Sequence, residues 1–199
     1  MWYNTIMNWN NREQVREYHR AYRAKKRIPR LIEAENKRQL LYKSLWNLPP
    51  TELAYIAGFF DGEGCISIVK GHSRRIPIGK KWSPEYGLHF SLSNQHIPTL
   101  TYIKTITGLG GIYRDSPDRK NNYKWAVSSN QAMEILKILL PYLKIKLPQA
   151  QLAIKFQSIL AIHNRGGLKR NKLTEAQLQE RAELKRELMR LNHSYSIQP

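Results

Sequence analysis

The sequence predicts an α+β domain: one antiparallel sheet of four strands with helices on one face, in the order αββαββα. Three observations carry that expectation. An apolar run from Leu53 to Phe60 has helical character and ends among glycines. Tyr86, Leu88, Phe90 and Leu92 alternate strictly with Gly87, His89, Ser91 and Ser93, the two-residue period of a half-buried strand. Helical and strand-like stretches then follow one another as helix, two strands, helix, two strands, helix, helix.

Residues 12 to 27 read as a basic helix in which Tyr18 and Tyr22 lie one turn apart and Val15 extends their stripe, a pattern suited to packing against the core. Ile28-Pro29 is expected to interrupt it, with a second helical stretch from Leu31 to Trp46. Pro49-Pro50 is a boundary; Thr51 is placed to cap the next helix and Glu52 suits its first turn. After Gly64 the period drops to two, with Ile66 and Ile68 against Ser67 and Val69. A loop rich in Gly, Arg and Lys precedes the strand around Leu88. Residues 97 to 107 read as a helix with Pro98 near its start. Gly108 to Gly111 turn the chain into a strand from Ile112 to Asp115, and Ser116 to Asn122 form a polar loop. Tyr123, Trp125 and Val127 then alternate with Lys124, Ala126 and Ser128. Helices follow from Asn130 to Leu140 and from Leu147 to Ile162. Gly166-Gly167 precedes an amphipathic tail helix, Leu173 to Asn192, in which Thr174 and Gln177 fit a capping box and Leu184, Leu188 and Leu191 form an apolar stripe. The chain thus divides into a basic helical extension (residues 1–50), a core domain (51–162) and a helical tail (163–199).

Composition narrows the partners. Lys and Arg total 33 against 15 Asp and Glu, a formal charge of +18, which points to polyanions and first to nucleic acid. The bases are spread along all three parts, so no part reads as a pure cationic arm. Cys65 is the single cysteine, which excludes an internal disulfide framework and a cysteine-pair zinc site; it is expected to be buried or groove-facing and chemically idle. No apolar run reaches membrane-spanning length, so no membrane role is expected. The start of the chain lacks the apolar core of a signal peptide. Abundant Ile, Asn, Lys and Tyr suit an AT-rich genome: an organelle, with a bacterial or phage cytoplasm as the alternative.

The apolar helix closes in two acids, Asp61 and Glu63, interleaved with Gly58, Gly62 and Gly64. Carboxylates at a helix C-terminus oppose the macrodipole, and a bound divalent cation relieves that conflict through hard oxygen donors. The sheet face opposite the helices carries small and basic side chains, and a β-ribbon of that kind fits a DNA major groove.

Ile56-Ala57-Gly58-Phe59-Phe60-Asp61-Gly62-Glu63-Gly64 resembles the motif of the LAGLIDADG homing endonucleases, with Phe59 and Phe60 in place of aliphatics and Glu63 as the second acid. The segment from Leu140 to Gln151 looks like the late conserved stretch of that family, and the αββαββα order agrees. The resemblance covers about residues 51 to 162 and holds one copy of the acidic motif. Single-motif members act as homodimers. Ala54, Gly58 and Gly62, repeating every four residues, give a helix face that lets two backbones approach closely, with Asp61 near the partner helix end.

What the resemblance implies is metal-dependent hydrolysis of double-stranded DNA at a long, roughly palindromic site. Glu63 and the Gly62 carbonyl would hold Mg2+ or another divalent cation. Lys146 would stabilise developing charge or organise solvent, and Asn94 would orient water. Ser67, His89, Ser91, Ser93, Arg114, Lys124 and Ser128 would read bases from the free sheet face. Arg74, Arg75, Lys80, Lys81, Arg119 and Lys120 would reach phosphates or outer bases. Two further functions stay open on the same scaffold: a maturase that binds group I intron RNA, and a catalytically silent DNA-binding regulator. The six histidines lack the spacing of an HNH nuclease.

Overall fold

The computed structural model describes residues 11–71, 85–115, 121–163 and 173–194. The chain separates into two compact units, Met1–Ser44 and Leu45–Pro199. The first consists, in its described part, of most of one long helix, α1 (Arg12–Trp46). Asn11 starts that helix: its side-chain oxygen accepts the backbone N–H groups of Glu13 (3.0 Å) and Gln14 (3.2 Å). The expected break at Ile28-Pro29 does not occur, because α1 runs through Pro29. A proline removes one helical hydrogen bond, and on an exposed helix the released carbonyl can turn to water. Tyr18 and Tyr22, expected to pack against the core, are exposed and stack on each other at 6.1 Å.

The second unit holds α2 (Pro50–Glu63), β1 (Gly64–Gly71), β2 (Glu85–Asn94), α3 (Ile97–Thr107), β3 (Gly111–Arg114), β4 (Tyr123–Ser128), α4 (Ser129–Leu139), α5 (Leu147–His163) and α6 (Glu175–Ser194). A 3₁₀ turn, Leu140–Tyr142, links α4 toward α5. The four strands form one antiparallel sheet in the order β1-β2-β4-β3. This is the expected α+β architecture. Helix α2 starts two residues earlier than Thr51 capping would require, with Pro49 at the N-cap. Pro50 takes the first turn, where its missing N–H costs nothing, and Thr51 lies inside the helix.

The core lies between sheet and helices. Leu88, Phe90 and Leu92 from β2 and Trp125 and Val127 from β4 meet Ile56, Ala57 and Phe60 of α2 and Leu136 and Leu139 of α4, all buried. Phe60 stacks on Phe90 with centroids 4.2 Å apart, and Phe90 meets Trp125 edge-on at 5.8 Å. The Trp125 indole N–H donates to the Leu109 carbonyl at 2.9 Å, so the buried ring keeps no unmet donor. Gly64 joins α2 to β1 where any Cβ would overlap the Phe60 ring and carbonyl, so this corner requires glycine.

Helix α6 opens with the expected capping box. The Thr174 N–H donates to Gln177 Oε1 (3.0 Å) and the Gln177 N–H to Thr174 Oγ1 (3.2 Å). Its buried Leu184 and Leu188 pack it beside α5 and β1. Asn192 Nδ2 donates to the Ile66 carbonyl at 2.9 Å, and Gln149 Nε2 donates to the Leu191 carbonyl at 3.2 Å. The first of these bonds covers part of the edge strand β1, which would otherwise offer backbone groups to another chain.

Candidate active site and nucleic-acid interface

Helix α2 is apolar on two sides, and among the described residues only one of them is buried. Leu53, Ile56, Ala57 and Phe60 are buried, whereas Ala54, Gly58 and Gly62 are exposed. A Cβ built at Gly58 or Gly62 would meet nothing within 4 Å. Tyr55 flanks this stripe, 47% exposed, stacked on Phe59 at 6.4 Å and edge-on to Tyr102 at 6.2 Å. The Tyr102 hydroxyl in turn donates to Glu52 at 2.5 Å, and this bond raises the pKa of the phenol. The exposed stripe runs down to Glu63, the last residue of α2, whose side chain is exposed.

Asp61 faces into its own chain. Its Oδ2 accepts the backbone N–H groups of Lys144 (2.8 Å) and Ile145 (3.2 Å), and its Oδ1 accepts that of Lys146 (2.9 Å). Three consecutive amides thus form a nest around one carboxylate. The expectation that Asp61 serves the partner helix end is corrected to that extent: its carboxylate binds the turn before α5. A helix C-terminus leaves an acid without backbone donors of its own, and the 144–146 turn supplies them.

The same turn delivers Lys146. Its ammonium donates to the Asp61 carbonyl and lies 5.8 Å from the centre of the Phe60 ring. Burial lowers the Lys146 pKa, while the nearby charges of Asp61, Cys65 and Glu63 act in the opposite direction. Lys146 therefore stands beside the end of α2, in the electrostatic reach of Glu63.

Asn94 has a structural bond that the sequence did not announce. Its Oδ1 accepts the His96 N–H at 2.8 Å, closing the turn into α3. The β2–β4 register pairs it with Tyr123, in the alternation of Leu92 and Trp125, which faces the helices. One lone pair of its amide oxygen is thus taken by the backbone.

The register defines that free face in rows. Cys65, Ser91, Ala126 and Gly111 line up across the four strands; Ser67, His89 and Ser128 form the next row; Ser93, Lys124 and Tyr113 form a third. Ser67, His89, Ser91, Ser93, Lys124 and Ser128 are therefore together on one surface. Arg114 is not: it pairs with Tyr123, one residue out of phase, and its exposure comes from its place at the end of the edge strand β3. Tyr113, 61% exposed, occupies the position Arg114 was expected to fill. Val69, set with Ser67 by the sequence alternation, is exposed on this surface, and so is Cys65. Lys124 is engaged with Asp115 at 2.6 Å, so part of its charge is met within the chain. Arg74, Arg75, Lys80, Lys81, Arg119 and Lys120 lie outside the described residues.

Among the described residues no three His, Cys, Asp or Glu side chains gather into a cation site within one chain. Glu63 and the Gly62 carbonyl are nonetheless hard oxygen donors at the electronegative end of a helix and suit a hard divalent cation. The residues present fit such an ion as half of a site.

Comparison with known proteins agrees with this geometry. The profile of the LAGLIDADG endonuclease family matches residues 56–163. A probable intron-encoded endonuclease, Cox1-I1b of Schizosaccharomyces pombe, is 41% identical over 63 residues, which are 31% of this chain and 15% of that protein. The fold resembles the archaeal intron-encoded homing endonuclease I-Vdi141I, solved with DNA, at TM-score 0.58 and 21% identity over 71% of this chain and 84% of that one. It also resembles I-CvuI, solved with target DNA and 2 mM Mg, at TM-score 0.55 and 24% identity over 71% and 82%. A second I-CvuI complex was solved with 2 mM Ca. With more than half of its length matched by the family profile, an exposed small-residue α2 ending in Glu63, and the shared fold, this chain belongs to the LAGLIDADG endonuclease family.

Proposed function

We propose that this chain is a site-specific endonuclease for double-stranded DNA that works as a homodimer. The observation that carries the reading is the exposed Ala54–Gly58–Gly62 face of α2, which leads to Glu63 at the rim of the open sheet face. Two copies of that face, related by a two-fold axis, bury each other's small residues and bring the two Glu63 carboxylates together. The two free sheet faces then form one continuous saddle for a long, roughly palindromic duplex.

Within that assembly Glu63 and the Gly62 carbonyl of each protomer would hold Mg2+ or another divalent cation. When bound, such an ion supplies Lewis-acid activation of water and stabilisation of the leaving oxygen. Lys146 holds a positive charge beside the scissile phosphate and is kept in place by the Asp61 nest. Its lowered pKa suits it to give up or share a proton more readily than a surface lysine. Asp61 acts through Lys146 as a positioning residue. Ser67, His89, Ser91, Ser93 and Ser128 offer hydroxyls and an imidazole to base edges, and Tyr113 and Val69 offer apolar contact.

The gene is proposed to lie in an organelle intron. Support comes from the AT-type composition and from the intron-encoded relative. The test is incubation of purified protein with its intron-less allele and Mg2+. Double-strand cutting that Glu63→Gln abolishes, with binding retained, supports the reading. Absence of cutting, together with stimulated group I intron splicing that Glu63→Gln leaves unchanged, would replace it with the maturase.

A further inference from the structure

The long helix α1 lies outside the family match, and its charge is arranged. A helix advances about 100° per residue, so Arg12, Arg16, Arg20 and Arg23, at spacings of four, four and three, fall within about 80° of arc. The same spacing continues along the helix backbone to Arg27 and Arg30. From Arg12 to Arg30 the rise is about 27 Å. Arg12, Arg16, Arg20 and Arg23 are exposed, and among the described residues none of the four has a carboxylate partner. Further along the same helix Arg38 is paired with Glu35, so α1 can form such pairs where its sequence provides them. Tyr18 and Tyr22 fall on the opposite side of the helix and stack on each other.

We propose that this arginine stripe is a second DNA-binding surface, which grips the phosphate backbone of duplex DNA. A guanidinium binds a phosphate bidentately, and about 27 Å of duplex axis carries about sixteen phosphate charges. Tyr18 and Tyr22 face away from the stripe, and His19, at its edge, meets Tyr18 edge-on at 5.7 Å, so the stripe offers mainly charge. That arrangement favours a stacked duplex over single-stranded RNA, whose recognition relies on stacking of exposed bases. The choice of DNA among polyanions rests on the proposed function; the stripe itself does not.

The experiment measures binding of the full-length chain to a long fluorescein-labelled duplex of arbitrary sequence, in chelator, across a salt series. Replacing Arg12, Arg16, Arg20 and Arg23 together by Gln is expected to reduce the log–log salt slope by about 3 to 4. Between 50 and 200 mM salt the wild type should then lose about two more decades of affinity than the variant. The matching fourfold Arg→Lys variant should keep nearly the full slope, which separates lost charge from lost helix. A control variant, Lys25→Gln with Lys43→Gln, removes charge on the opposite side of α1 and should change the slope by less than one. The inference is overturned if the Gln variant keeps the wild-type slope, or if the Lys variant loses it. It is equally overturned if the control loses as much per charge, or if only binding to structured RNA responds. A protein that never cuts DNA but shows the stripe-dependent slope upholds this inference and sinks the proposed function. One that cuts with an unchanged slope does the reverse.

Discussion

Replacing Asp61 by Asn removes a charge and turns one acceptor into a donor. In the native chain the carboxylate accepts three backbone N–H groups, two on Oδ2 and one on Oδ1. An asparagine can keep the bonds from Lys144 and Ile145 through its one oxygen, but its amide nitrogen then faces the N–H group of Lys146. One charge-assisted bond worth about 1.5 to 3 kcal/mol is lost, and the other two, now neutral, each lose about half of theirs, about 3 to 6 kcal/mol in all. Lys144 and Ile145 are exposed, so water can replace part of what is lost, and about half of that sum is the reasonable expectation. The predicted destabilisation is therefore about 1.5 to 3 kcal/mol, read as a lower urea midpoint at an unchanged slope and fixed protein concentration. Lys146, released from its turn, should also lose its position, so cleavage should fall by more than the loss of folded protein accounts for. A midpoint change equivalent to less than about 0.5 kcal/mol would show that the nest contributes little, and the structural role assigned to Asp61 would fail.

Gly58→Leu fills the open face of α2 without a clash inside the chain and should preserve folding, since leucine is the better helix former, while sedimentation shows loss of pairing. Lys146→Met should reduce cleavage. Because burial lowers the folded pKa of Lys146 below its unfolded value, the unfolded chain binds the extra proton between the two. The stability of wild type relative to Lys146→Met should therefore rise as pH increases through that alkaline window and stay flat below it, as measured by denaturant titration. Thr174→Ala breaks the capping box of α6 and should cost about 1 kcal/mol, visible as faster amide exchange along that helix.

The elements of the core domain were legible because their signals are local. The strict alternation around Leu88 and Phe90, the glycine corner after Glu63 and the Thr174–Gln177 box each need only a few neighbouring residues. Arg114 was misplaced because a four-residue strand has too few positions to reveal its phase; only pairing with β4 does. The partner of Asp61 could not be read, since the Lys144 amide lies 83 residues away and a backbone N–H leaves no mark on the sequence. The turn-closing bond of Asn94 could not be read either, since it depends on where His96 points its N–H. Pro29 misled because the carbonyl it releases can turn to water, and Pro29 is exposed.

The central claim is that two copies of α2 meet so that their Glu63 ends adjoin. Cys65 is the single cysteine, exposed and two residues from Glu63, so a spin label there reports this geometry without any substitution. One chain carries one label, and any dipolar coupling requires a second chain. Packed helices lie about 10 Å apart, so with the label arms added the account predicts a narrow distribution below about 30 Å. No coupling at working concentration, or distances centred well beyond that range, would contradict it.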